Sequence, residues 1–385
     1  MNIEIRRAGF INKGSALMIH AVLQRMGKQY PDATFVMAPS TNPSMKTTPY
    51  HTRAGLHLFQ KAWFWRYGVQ WGDLAVLLPK NIRTMYGIVL DKEIDVVIDI
   101  AGYLYSDHWG DKGSLELAAA CKRWYKQGSK VILMPQALGP FTSPAIRKAI
   151  NTIVDNSTLI FPRERISYQN LIDVVGERPN IVMASDFTNL LQATPPVTSD
   201  DDKKICIVPN FRMLDKTTKT DGNAYLPFMI ECTKYLLSKD AKPFFLLHEG
   251  SKDYELMELI SAAVDADVPI VVEEDPLKIK GILANCNGML GSRFHGLVSA
   301  LSQGIPAIAT GWNYKYQMLF EDYGFPEGLL SVHADLSEIK KKLDLIIEPD
   351  ARLKLQRNIL KKSDQLKIDS EDMWQRIFSV MIDPA

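Results

Sequence analysis

Strand-length apolar runs alternate along this chain with longer stretches of helical period. Residues 3–5, 33–37, 95–100, 130–134, 159–161 and 181–183 are short runs rich in Val, Ile, Leu and Phe, and read as strands. Residues 15–29, 54–67, 113–127 and 143–155 carry helical periodicity between them, with Ser15 placed to cap the first helix. Strands in alternation with helices imply parallel βαβ units. Apolar runs without polar alternation imply a sheet covered on both faces.

The pattern breaks over residues 193–203, which are rich in Pro, Thr and Asp and have no periodicity. It then restarts with strands at 205–208, 243–247, 270–272, 288–290 and 307–309, and helices at 224–239, 253–264, 276–284 and 297–303. From residue 336 the chain is helical and charged. The pattern therefore predicts an α/β protein with two Rossmann-like domains, over 1–195 and 204–345. A C-terminal helical segment, 346–385, packs back on the first domain. Two such domains face each other across a cleft at the C-terminal ends of their strands, as in the GT-B architecture, and ligands of open α/β folds bind at such ends.

Composition narrows the function classes. With 45 Lys and Arg against 44 Asp and Glu in 385 residues, there is no overall field to draw in nucleic acid. Cys121, Cys206, Cys232 and Cys286 stand far apart in apolar contexts and read as reduced core residues of a cytoplasmic protein. No apolar run approaches the length of a membrane crossing, so the expectation is a protein that is not integral to the membrane. Peripheral attachment at the membrane surface would remain open to it. Histidines and carboxylates show no metal-ligand spacing. Neither a full G-x-G-x-x-G nor a P-loop is present, so no metal or cofactor is expected.

Candidate chemistry concentrates at Gly291-Ser292-Arg293-Phe294-His295-Gly296, where an apolar strand turns into a helix. Backbone N–H groups at a helix start carry partial positive charge, and a guanidinium fork fits carboxylate or phosphate. An imidazole beside them gives or takes a proton near neutral pH. His248 ends another strand and would line the same region. The Asn12-Lys13-Gly14-Ser15 turn, Gln136 and Arg163 follow strands of the first half.

Ser292-Arg293-Phe294-His295-Gly296-Leu297, then Ala300-Leu301-Ser302-Gln303-Gly304-Ile305-Pro306, then Gly311-Trp312-Asn313-Tyr314-Lys315 together resemble the signature of polysaccharide pyruvyl transferases. Asn12-Lys13-Gly14-Ser15-Ala16-Leu17 resembles that family's opening motif. Pro135-Gln136-Ala137-Leu138-Gly139-Pro140-Phe141, Arg163-Glu164-Arg165-Ile166-Ser167 and Ser185-Asp186-Phe187 resemble its later ones. One departure is Asp99-Ile100-Ala101-Gly102-Tyr103, where the family often has Gly-Gly; the added bulk bears on the shape of the acceptor site.

The resemblance implies transfer of the pyruvyl group of phosphoenolpyruvate onto two hydroxyls of a sugar or glycan acceptor, lipid-linked or free, in cell-surface polysaccharide biosynthesis. It implies His295 and Arg293 as catalytic residues. Arg163, Lys315, Ser292, Asn12, Gly14, Gln136 and His248 are the substrate-binding candidates, with the first domain on the acceptor side and the second on the donor side. Two alternatives stay open at this point: a GT-B glycosyltransferase or epimerase using a UDP-sugar, and a non-catalytic glycan-binding protein on the same fold.

Overall fold

The computed structural model describes residues 1–382 except 8, 40–54, 64, 67–68, 195–203, 240 and 312. The break over 193–203 thus falls largely outside the described residues. The chain forms two compact units: one comprises residues 1–11, 18–187 and 370–385, the other residues 12–17 and 188–369.

The first unit is built on a seven-stranded parallel sheet. Its strands are β1 (Asn2–Arg6), β2 (Thr34–Met37), β3 (Phe59–Lys61), β6 (Ile88–Val89), β7 (Val96–Asp99), β8 (Lys130–Gln136) and β9 (Leu159–Pro162), in the order β6-β3-β2-β1-β7-β8-β9. A separate antiparallel pair, β4 (Trp65–Arg66) and β5 (Val69–Gln70), lies between β3 and β6 in the chain. β7 and β9 are buried along their whole length, as strands covered on both faces must be. Helices Lys112–Gln127 and Pro144–Asp155 pack their apolar stripes, including Leu117, Trp124, Ile146 and Ile150, into the core of this sheet.

Two expectations change here. Within 54–67, where a helix is predicted, Phe59–Lys61 form β3 instead, and Lys61 is buried with its ammonium on Glu4 at 2.6 Å and on Asp91 at 2.6 Å. Sheet pairing with β2 and β6 on either side outweighs the local helical period. Residues 181–183 form no strand; a single bridge joins Ile181 to Ile160. The last helix, Pro349–Ile382, ends in the first unit, where Trp374 is buried against Phe187 and stacks on Phe378.

The second unit carries a five-stranded parallel sheet of β10 (Lys204–Val208), β11 (Lys242–Leu246), β12 (Ile270–Val271), β13 (Gly288–Gly291) and β14 (Ala307–Ala309), ordered β12-β11-β10-β13-β14. β10 therefore lies between β11 and β13. The ends of β11 and β13 flank it, although about forty residues separate them in sequence. Cys121, Cys206, Cys232 and Cys286 are all buried and unbridged. Among the described residues no helix is long and apolar enough to cross a membrane.

Candidate functional site

β13 ends at Gly291, and the next helix, Phe294–Leu301, starts at once with Arg293 as its cap residue. The turn between them is locked by Ser292, which is fully buried. Its N–H donates to the Val208 carbonyl at 3.0 Å. Its carbonyl accepts from the Asn210 amide at 2.7 Å and from the Tyr316 hydroxyl at 2.9 Å. Its own hydroxyl meets that of Tyr225 at 2.9 Å. Ser292 thus holds the turn, with its polar groups spent inside the protein. Burial pushes the Tyr225 phenol well above its ordinary range, so it stays a neutral hydrogen-bonding group.

The same turn aims Arg293 across the end of β10 toward the end of β11. Its two terminal nitrogens pair with the carboxylates of Glu249 and Asp253, which lie just before and within the helix Gly250–Val264. Asp253 also accepts from the Phe211 N–H at 2.9 Å. Burial alone would lower the Arg293 pKa, but Glu249 and Asp253 more than offset it and raise it above the ordinary value. Burial raises the Asp253 pKa despite Arg293. The guanidinium expected to receive an anion is therefore held by two acids, and only its Nε lacks a hydrogen-bond partner among the described residues. Replacing Arg293 by Ala would leave the nearly inaccessible Asp253 carboxylate without its countercharge. Unfolding in urea is expected to show a loss of about 3–5 kcal/mol for that variant.

The turn at residues 12–14 joins this site from the far end of the chain. The helix Lys13–Gln29 is capped by Asn12, whose side-chain oxygen accepts from the Ser15 N–H at 3.1 Å. The cap is thus Asn12 rather than Ser15. The Lys13 N–H reaches the His248 carbonyl at 3.3 Å, and its ammonium reaches the Glu274 carboxylate at 2.8 Å. Gly14 packs directly on the His295 ring: a Cβ at residue 14 would stand 2.5 Å from His295 Nδ1 and 2.9 Å from its Cβ. No side chain larger than a hydrogen fits there without displacing the imidazole.

Lys315 completes the group. Asn313 caps its helix, Tyr314–Asp322, and the Lys315 ammonium lies 5.3 Å from the ring centre of Phe294 and 5.5 Å from that of Tyr316. The His295 ring sits edge-on to the other side chain of that turn, Phe294, at 5.4 Å. A cavity of about 400 Å³ is lined by Asn313, Tyr314, Tyr316 and Gln317, among others, and not by Lys315.

His248 follows β11 and is 2% exposed, and neither of its ring nitrogens has a hydrogen-bond partner among the described residues. Burial first, then the nearby charges of Arg293, His295 and Lys13, lower its pKa to about 3, so the ring is neutral at physiological pH.

Of the residues singled out in the sequence, Asn12, Gly14, His248, Ser292, Arg293, His295 and Lys315 all fall in the second unit. Gln136 and Arg163 fall in the first, at the ends of β8 and β9. There the Arg163 N–H donates to the Gln136 carbonyl at 3.0 Å, and its guanidinium pairs with Asp186 at 3.2 Å. The Gln136 side chain is fully buried with neither amide atom hydrogen-bonded among the described residues. Sequence reasoning named Lys13 only as part of its turn and missed Asp253, Asn210, Tyr225 and Tyr316. Asp253 stands four residues after Glu249, a helical spacing that the chain offered as a signal. Among the described residues no group of three or more histidine, cysteine, aspartate or glutamate side chains is placed to hold a metal ion.

The two parallel-sheet units define a GT-B-like α/β fold, and solved structures agree. The Anabaena protein HepE in complex with UDP-glucose is similar with a TM-score of 0.59 at 13% identity, over 99% of this chain and 98% of that one. A putative UDP-N-acetylglucosamine 2-epimerase from Listeria monocytogenes gives 0.63 at 10% identity, over 100% and 97%. The UDP-GlcNAc 2-epimerase of Neisseria meningitidis bound to UDP-GlcNAc gives 0.57 at 12%, over 96% and 99%. At these identities the likeness establishes the fold alone. No curated protein matches the chain by sequence. The sequence model of the polysaccharide pyruvyl transferase family matches residues 12–314, from the Asn12 turn to the helix that bears Lys315, and the chain belongs to that family.

Proposed function

We propose that this protein transfers the pyruvyl group of phosphoenolpyruvate onto two hydroxyls of a sugar, forming a cyclic ketal and releasing inorganic phosphate. One observation carries the reading: the family's first motif and its Arg-x-His motif, 281 residues apart at Gly14 and His295, pack against each other in one unit. In the reaction, the oxygen of one acceptor hydroxyl adds to C2 of the enol and its proton is given up to the phosphate that will leave, while C3 takes a proton. Phosphate then leaves with its bonding pair, and the second hydroxyl closes the ring as its proton departs.

His295 is the proton donor to C3 in this scheme. Lys315 offsets charge on the departing phosphate. Lys13 serves as a further anion anchor, because its partner Glu274 is 90% exposed and such a pair is readily exchanged for phosphate. Arg293, with Glu249 and Asp253, braces the turn that presents His295. The first unit is assigned the acceptor side, with Arg163 and Gln136 as its substrate-binding residues, and the second unit the donor side. The acceptor is a glycan destined for the cell surface, and the protein works in the cytoplasm.

The structural neighbours bound to UDP or UDP-sugars favour a second reading, a UDP-sugar-dependent transferase or epimerase. Calorimetric titration of the purified protein with phosphoenolpyruvate, then with UDP, separates the two. Saturable phosphoenolpyruvate binding is expected. Silence toward it together with clear UDP binding would overturn the pyruvyl reading.

A further inference from the structure

A buried imidazole with no hydrogen bond costs about 1–3 kcal/mol for each polar atom left alone, so folded proteins rarely keep one without use. Among the described residues, neither ring nitrogen of the buried His248 has a side-chain or backbone partner from another residue. Its place is fixed from two sides that it shares with His295. The Lys13 N–H holds the His248 carbonyl, and the next residue, Gly14, lies flat on the His295 ring. On the other side, a Cβ at Gly296, the residue after His295, would stand 3.6 Å from His248 Cδ2. Residues 13–14 and 296 thus touch both histidines.

From this packing we infer that His248 is a positioning residue for His295, its ring nitrogen accepting the hydrogen bond of the His295 ring when that ring carries the proton destined for substrate. The inference rests on the proton-donor role proposed for His295. Among the described residues the charged groups near the pair include Lys13 with its partner Glu274, Arg293 with Glu249 and Asp253, and Lys315 against Phe294. Burial first, and then the charges of Arg293 and Lys13 beside it, disfavour an imidazolium at His248, so its ring offers a lone pair and does not compete for the proton. A neutral acceptor behind a protonated ring fixes its orientation, as the third group of a catalytic triad does.

The test has an arm that needs no turnover. In the full-length protein with ¹⁵N-labelled histidine, the acceptor nitrogen of His248 should move when acidification protonates His295, without the His248 ring itself becoming charged, and the movement should vanish in His295→Gln. In kinetics, His248→Phe should lower kcat about 10²-fold with KM for phosphoenolpyruvate nearly unchanged. His248→Gln, which keeps an acceptor, should recover most of that loss. A His248 resonance indifferent to His295→Gln, or a Gln variant as impaired as the Phe one, overturns the pairing. The resonance arm stands even if the protein proves not to use phosphoenolpyruvate, so the two readings fail separately.

Discussion

His295→Ala should reduce ketal formation from phosphoenolpyruvate about 10³-fold while leaving the unfolding transition near that of the parent protein. His295 is half-buried, at the first turn of a helix whose buried face is made by Phe294, Leu297, Val298 and Leu301. Its loss therefore empties little of the core. The measurement is release of inorganic phosphate at saturating donor, with circular dichroism of the variant alongside. Activity within tenfold of the parent would remove His295 from the proton step. Arg293→Ala is the less informative substitution. It combines any effect on chemistry with the cost of stranding Asp253, so its inactivity would say little about donor contact.

Gly14→Ala is the second substitution expected to have a large effect, and it acts through the position of the His295 ring. The added methyl would lie 2.5 Å from His295 Nδ1, inside any permitted contact, and the backbone beside it is tethered to His248. The ring has to yield. A displacement near 1 Å at a catalytic group costs about 10²-fold in rate, and overpacking of this kind costs about 1–3 kcal/mol in stability. Turnover should fall with little change in donor affinity, read from kcat against the calorimetric Kd. Unchanged kcat in Gly14→Ala would mean that the packing of Gly14 on His295 has no bearing on the chemistry.

Much of the scaffold was legible before any coordinates. The runs at 95–100 and 130–134, apolar through 96–98 and 131–134, became β7 and β8 in the interior of a parallel sheet, because burial on both faces leaves little reason for polar alternation. Strand β3 was not legible, since its three residues gain their conformation from β2 and β6, and no local period records that pairing. The Ser292-Arg293-Phe294-His295 turn could be found by its glycines and its charges. What Arg293 does could not, because its acids follow β11 and reach it only through a strand order in which β10 comes between. The burial of Ser292 depends likewise on Asn210, Tyr225 and Tyr316, which come from three separate parts of the chain.

The helix Lys13–Gln29 opens in one compact unit and continues in the other, since residues 12–17 group with 188–369. This bears on how such proteins can be recombined. A chimaera made by exchanging residues 188–369 as a block would import His295 and leave behind the Gly14 on which its ring rests. The inherited module is discontinuous, and a working exchange has to carry the short N-terminal turn as a second fragment.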